Sequence, residues 1–151
     1  MKAAPDNDLL DCPFCSIARG RDSAADVVCE GEDWIAFFPL NPATPGHTLI
    51  IPREHVPDLW KVEPPSLAGE LMAAAIRVGR AIETALRPEG MNLITSAGET
   101  AEQTVFHLHL HIVPRWRRDG FGQIWPVEGK FDDASLGDVA TAIRNACSNV
   151  F

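Results

Sequence analysis

The sequence predicts an α+β domain built on an antiparallel sheet of about five strands, with one long helix and a C-terminal helix. Two observations carry that prediction. Short apolar runs of strand length follow one another, mostly across tight turns marked by Gly and Pro. One long segment instead repeats its apolar residues at helical spacing.

The elements follow in order. Residues 16–19 read as a short helix ended by Gly20, and Val27–Glu30 and residues 34–38 as two strands around the turn Gly31-Glu32-Asp33. Residues 47–51 make a third strand, bounded by Pro45-Gly46 and Pro52. In Pro65–Leu86, Leu67, Leu71, Ala75, Val78, Ile82 and Ala85 recur every three or four residues, which predicts a helix packed on the sheet and stopped at Arg87-Pro88. Residues 91–95 and 105–113 are the last two strands, joined by the polar loop 96–104, and a final helix spans 134–145. No repeat, low-complexity tract or linker interrupts the chain, so residues 1–151 are expected to form one domain.

A net charge of −8 argues against broad electrostatic binding to DNA or RNA. The local cluster Arg115, Arg117 and Arg118 is too short to reverse that and reads as a solvated loop. The opening MKAAPDNDLL lacks an apolar stretch of signal-peptide length, and no later run is long enough to span a bilayer. The default expectation is a cytoplasmic protein with no membrane partner.

The densest chemistry lies at residues 107–115, HLHLHIVPR, where His107, His109 and His111 occupy every second position. On a strand this alternation puts Phe106, Leu108, Leu110 and Ile112 on one face and three imidazoles on the other. Same-face neighbours stand about 6–7 Å apart, so the outer two histidines are about 13 Å apart and no single metal ion reaches all three. At least one imidazole is therefore left for acid, base or nucleophilic work.

Cys12-Pro13-Phe14-Cys15 is the other candidate motif. A redox-active C-x-x-C wants a preceding strand in a βαβ unit, and only eleven polar-leaning residues precede Cys12. Half of a zinc site is the better reading. Two thiolates need two further ligands, and with no second C-x-x-C these must be histidines brought in by the fold. Cys29 and Cys147 read as small buried apolar groups, with all four cysteines reduced.

The His-x-His-x-His run resembles the signature of the histidine-triad (HIT) family of hydrolases and transferases. Residues 41–55, NPATPGHTLIIPREH, are similar to the family's second block, in which a proline-glycine turn delivers a histidine into a strand. Gln103-Thr104-Val105 and Pro114-Arg115 also fit, so the resemblance covers about residues 12–116, with 117–151 as a C-terminal extension. It implies a HIT-like fold, usually paired edge to edge in a homodimer, a nucleotide substrate, and structural zinc. In zinc-containing members the remaining ligands are the histidine closing the proline-basic-x-His segment and the first triad histidine. The expected set is thus Cys12, Cys15, His55 and His107.

In the resembled family the middle histidine becomes nucleotidylated and water later releases the nucleotide, which makes His109 the expected nucleophile. An imidazole can attack phosphorus at neutral pH when one ring nitrogen is bare and the other keeps its proton on an acceptor; on a strand that acceptor is a backbone carbonyl. His111 is then placed to donate to a phosphate or leaving-group oxygen, and His107 orients His109 through its carbonyl. His47 matches a fourth histidine that supports the triad by hydrogen bonding. Gln103 and Thr104 match phosphate-holding positions, and Asn41 and Ser96 complete the expected substrate contacts. Arg115 either screens phosphate charge or forms a salt bridge at the rim.

Three departures bear on the substrate. Pro39 fills the slot where the family often has a ribose-gripping carboxylate, Ser96 stands for an asparagine that commonly contacts phosphate, and Glu102 replaces a small residue, usually glycine. The expected activity is hydrolysis at the α-phosphorus of a nucleoside phosphoramidate, mixed anhydride or dinucleoside polyphosphate. The alternatives are a nucleotidylyltransferase, which differs only in the acceptor, and a nucleotide-binding or scaffold dimer with incidental turnover. A metal oxygenase built on His107 and His109 is disfavoured, since no glutamate follows at short spacing and Cys12 and Cys15 would be left without a role.

Overall fold

The structure, a computed structural model, describes residues 11–125, 133–148 and 150. The chain divides into two compact units, Met1–Phe121 and Gly122–Phe151. The first holds a five-stranded antiparallel sheet of β1 (Val27–Glu30), β2 (Trp34–Phe37), β3 (Thr48–Pro52), β4 (Gly90–Ile94) and β5 (Leu110–Arg115), in the order β1-β2-β3-β5-β4. Helices α1 (Pro13–Ala18) and α2 (Pro65–Leu86) complete it, so the expected α+β class and antiparallel pairing are found.

The period-2 alternation of the strands sorts their side chains between two cores. Trp34, Ala36, Ile50, Leu110 and Ile112 pack with Leu71, Ala74, Ala75, Val78 and Ile82 of α2. The helical stripe read from the sequence is buried as expected from Leu71 to Ile82, with Leu67 packed against it, whereas Ala85 is exposed. On the opposite face Ile35, Phe37, Leu49 and Ile51 pack with Ile17, Ala18 and Phe14 of α1. The register places the site on this second face: His111 pairs with Leu49 of β3 and Ile94 of β4, and cross-strand partners share a face.

The helix boundaries have local causes. α1 begins at Pro13, three residues earlier than expected, because proline at the first helical position lacks the amide that would go unbonded there, and the Cys12 sulfur accepts the Cys15 amide as an N-cap. α2 starts at Pro65 and ends as Arg87 turns left-handed at φ 49°, just before Pro88. Gly46, at φ +82°, makes the turn into β3; a Cβ there would lie 2.4 Å from Leu86 Cδ1.

The last strand is where structure and expectation part. β5 starts at Leu110, not at residue 105, so His107 and His109 precede the ladder. The backbone before it bonds elsewhere: the Leu108 amide donates to the Val56 carbonyl (2.6 Å), the His107 ring to Pro52 O (2.9 Å) and the Gln103 side chain to Pro57 O (2.7 Å). Residues 103–108 are thus tied to the 52–57 segment instead of continuing the ladder. The alternation survives, since Leu108, Leu110 and Ile112 all enter the α2 core, but Phe106 is about half exposed and drops out of it.

The second unit contains α3 (Asp133–Cys147), close to the expected 134–145. Leu136, Val139 and Ile143 are exposed along it. Cys147 is exposed too, contrary to the buried reading, because it sits in the last turn of this helix; Cys29 is partly buried against the α2 core. Among the described residues, no helix is long and apolar enough to cross a membrane.

Candidate active site and metal centre

Two clusters of side chains meet at His107. The first contains Cys12, Cys15, His55 and His107, whose four donor atoms lie within 4.8 Å of one another. The C-x-x-C turn at the start of α1 brings both sulfurs together, the segment after β3 supplies His55, and the 103–108 segment supplies His107. Cys15 Sγ stands 3.2 Å from His55 Nδ1 and 3.5 Å from His107 Nδ1, and Cys12 Sγ stands 3.6 Å from His107 Nδ1. Tetrahedral zinc with Zn–S of about 2.3 Å and Zn–N of about 2.0–2.1 Å would separate its ligands by about 3.3–3.8 Å. The 3.5 and 3.6 Å separations fall in that range and 3.2 Å lies just below it, so small shifts would seat the ion.

Charge and tautomer agree with geometry. Burial, then the neighbouring Cys12 thiol, push the Cys15 thiol up to about 11, so two adjacent thiolates require a cation between them. His107 donates Nε2–H to the Pro52 carbonyl at 2.9 Å, leaving Nδ1 bare toward the sulfurs, the orientation a metal ligand needs. The set can hold zinc. With four protein ligands the shell is closed and leaves no position for substrate, which makes it a structural rather than a catalytic site.

The second cluster is His47, His109 and His111, and its hydrogen bonds fix all three tautomers. The Ala43 amide donates to His47 Nδ1 at 3.0 Å, so the ring proton of neutral His47 is on Nε2. That Nε2–H donates to His111 Nδ1 at 2.9 Å, which places the His111 proton on its own Nε2. His109 donates Nδ1–H to the His107 carbonyl at 2.7 Å, so its Nε2 is a bare lone pair. The His109 and His111 rings are 4.8 Å apart, centroid to centroid, at 70°. One bare nitrogen and one N–H are thus left beside each other, which is the equipment for attack on an electrophile and donation to the group that leaves.

Burial keeps these rings neutral. It lowers His47 and His109 below the usual imidazole value, and it lowers His111 to about 4, with the neighbouring His109 and His47 adding to the effect. The bond to the His107 carbonyl opposes the shift at His109 by favouring its charged form. A neutral His109 retains its lone pair at physiological pH.

The expected substrate contacts are distributed differently. Gln103 is buried and its side chain is engaged within the loop: its oxygen accepts from the Gly98 amide at 2.8 Å, while its amide donates to Pro57 O at 2.7 Å and Val105 O at 3.1 Å. Both side-chain protons are used, so Gln103 holds the loop in shape instead of offering a donor to phosphate. Thr104 and Asn41 are exposed, Ser96 is half-buried, and none of the three is hydrogen-bonded through its side chain to the histidine cluster. Arg115 takes the salt-bridge alternative, at 2.6 Å to Asp119, with a further bond to Asn92 Oδ1 at 3.0 Å and its guanidinium over Phe121 at 4.3 Å.

Glu102 sits at φ 66°, in the left-handed region that glycine occupies without a Cβ penalty. That is the physical reason for a glycine in this slot, and Glu102 fills it at some cost. Pro39 is half-buried and Leu40 is 96% exposed, so neither supplies a carboxylate for a ribose.

Two side chains were missed by the sequence reading. Phe14 sets its ring edge-on to His109, with centroids 5.3 Å apart at 87°, and also packs on Phe37 at 5.5 Å. Its position inside the C-x-x-C motif was the available signal, since a loop that delivers two sulfurs to the cluster also delivers the ring between them. Thr95 donates its hydroxyl to the His109 carbonyl at 2.9 Å, a contact with no signature in spacing or composition.

Residues 21–118 match the family model described as HIT domain, about two thirds of the chain. The protein belongs to the HIT family. Its fold is similar to that of SMU.412c from Streptococcus mutans UA159, with a TM-score of 0.83 and 39% identity over 91% of this chain and 85% of that one. It is similar to a Zn-bound histidine triad family protein from Mycobacterium smegmatis, with a TM-score of 0.66 and 33% identity, covering 89% of this chain and 99% of that one. Adenylylsulfatase HINT3 of Arabidopsis thaliana is 33% identical over 144 residues, which are 91% of this chain and 71% of that protein. Members of this HIT family are generally nucleotide hydrolases or transferases.

Proposed function

We propose that this HIT protein hydrolyses nucleotides at the α-phosphorus of nucleoside phosphoramidates, mixed anhydrides or dinucleoside polyphosphates, through a covalent nucleotidyl intermediate on His109. The observation that carries this reading is the tautomer pattern: a bare His109 Nε2 beside a His111 ring whose N–H is turned away from His47. In the first step His109 Nε2 forms a bond to phosphorus and the bond to the leaving group breaks; neutral His111 donates a hydrogen bond from Nε2–H to the departing nitrogen or oxygen, which takes up its proton from water. The positive charge that develops on His109 is stabilised by the His107 carbonyl on its Nδ1–H. In the second step water adds to phosphorus and its proton passes to solvent, while the P–N bond to His109 breaks, which returns the lone pair to Nε2 and releases a nucleoside monophosphate.

His47 acts as the supporting residue, since it fixes the proton on His111. Asn41, Ser96 and Thr104 are assigned to substrate contact, with Gln103 maintaining the shape of the loop that carries Thr104. An acylphosphate-like or sulfate anhydride fits the same scheme, and the similarity to an adenylylsulfatase supports that class of donor. The test is turnover of adenosine and guanosine phosphoramidates, adenylyl sulfate and diadenosine polyphosphates by the wild type and His109→Ala. Release of nucleoside monophosphate that survives unchanged in His109→Ala contradicts the proposal; transfer to an added acceptor in preference to water converts it to a nucleotidylyltransferase.

A homodimer belongs to the same proposal. β4 is an edge strand, and beside it Met72, Ile76 and Leu93 are exposed around a groove of about 270 Å³. Pairing with a second copy would satisfy the open edge and cover these side chains. Light scattering at micromolar concentration should give twice the chain mass, and a monomer mass there rejects the dimer.

A further inference from the structure

We propose that Thr95 is a positioning residue for the reaction: its hydroxyl, bonded to the His109 carbonyl, holds the nucleophile's backbone on the side where the β4–β5 ladder has ended. The inference rests on His109 being the nucleophile and extends that reading to a residue outside the triad.

The need for such a tether follows from the register. The β4–β5 ladder runs from Gly90↔Arg115 to Ile94↔His111 and ends there. His109 lies before the first residue of β5: on the β4 side no ladder pair reaches it, and on the β3 side the last pair is Ile50↔Leu110. Thr95 is the first residue past the end of β4, and its Oγ1–H reaches across to His109 O at 2.9 Å. The side chain supplies a bond just where the backbone ladder stops. On the other side of the same residue, His109 Nδ1–H is held by His107 O at 2.7 Å. His109 is thereby fixed at two points, ring and carbonyl. With the carbonyl released, the 109–110 peptide is held by the sheet through Leu110 alone, and a tilt of its carbonyl changes the angle at which Nδ1–H meets its acceptor. Thr95 touches none of the reacting atoms and acts only through His109.

Thr95→Val keeps the branched shape and removes the hydroxyl, whereas Thr95→Ser keeps the hydroxyl. Rapid-quench single-turnover kinetics with an adenosine phosphoramidate measure formation of the adduct, and long-range ¹H–¹⁵N spectra of the histidine rings count the His109 tautomers without any turnover. Loss of one hydrogen bond should slow adduct formation in Thr95→Val by about three- to tenfold, with KM changed by less than about twofold. Thr95→Ser should recover the wild-type rate. The spectra should show a single Nδ1–H tautomer at His109 in the wild type and Thr95→Ser, and a mixture in Thr95→Val. A Thr95→Val protein with the wild-type rate and a single tautomer overturns the tether, as does equal impairment of Val and Ser variants, which would mark a packing effect. A wild type that forms no adduct on His109 overturns the nucleophile reading instead, and the tautomer ratio still decides whether Thr95 positions the ring.

Discussion

His107 and His109 are two residues apart and both buried, yet they belong to sites of opposite character. Around His107 every donor is turned inward: two sulfurs and two ring nitrogens converge within 4.8 Å, and the remaining His107 nitrogen is bonded to a carbonyl. Around His109 the hydrogen bonds are arranged so that one lone pair and one N–H remain over. The difference lies in which ring nitrogen a backbone group takes. Pro52 O takes the Nε2 proton of His107 and leaves Nδ1 for a metal, while His107 O takes the Nδ1 proton of His109 and leaves Nε2 for chemistry. On the proposed reading, the same side chain serves as a ligand or a nucleophile according to which ring nitrogen its partner takes.

The comparison is broken most directly at His109. His109→Ala removes the lone pair and leaves the binding contacts, so steady-state turnover should fall by about 10³-fold or more while substrate affinity, measured by calorimetry, changes little. His111→Ala should cost about 10²-fold or more by removing the hydrogen bond to the leaving group, and the loss should be smaller for donors whose leaving group departs readily without it. An equal loss for good and poor leaving groups would take the donor role away from His111.

The other half of the comparison is sharpened by the sulfurs. Replacing Cys12 and Cys15 by serine should abolish binding of about one zinc per chain and lower the melting temperature with it. Full zinc content by elemental analysis in that double variant would place the ion elsewhere.

Acid probes the His47–His109–His111 cluster by a different route. The His111 imidazole takes a proton at about 6.5 when unfolded, but in the folded protein only at about 4. Between those values acid favours the unfolded chain, so the stability this residue contributes is complete above pH 6.5 and is lost as pH falls toward and through about 4. Denaturant titrations from neutral pH to pH 4 should therefore show a shallower pH dependence for His111→Ala than for the wild type; identical slopes would contradict a neutral, buried His111.

Much of this was legible beforehand because it is local. The C-x-x-C spacing, the proline-glycine turn before His47 and the alternation of His107, His109 and His111 are short-range patterns, and the resemblance supplied His55 as the fourth ligand. The start of β5 was not legible, since the alternation runs on without a break while the hydrogen bonds of residues 103–108 go to 52–57. The direction of the Gln103 side chain was not legible for the same reason: its residue type offers donors, but where they point depends on Pro57, 46 positions away. Cys12 is an unusual N-cap, so the sequence signal for the true start of α1 was confined to Pro13 at its first position.

The smallest effects concern the three departures. With Pro39 in place of a carboxylate, ribo and 2′-deoxy substrates should differ by less than about tenfold in kcat/KM, and Pro39→Asp should widen the gap. A strong ribo preference in the wild type would assign the contact to another residue. Glu102→Gly relieves a left-handed glutamate and should raise stability by about 0.5–1 kcal/mol, or about 1–4 °C in Tm, while improving turnover of highly charged polyphosphates relative to a phosphoramidate. No change in Tm would mean that the loop already absorbs the strain.

The central claim is that His109, and not its neighbours, carries the nucleotide. Intact-protein mass spectrometry after brief exposure to an adenosine phosphoramidate, followed by peptide mapping of the quenched sample, tests it in one experiment. The expected result is one adenylyl group per chain, located on His109 and absent from His109→Ala. An adduct on His107 or His111, or one that persists in the alanine variant, would contradict the account.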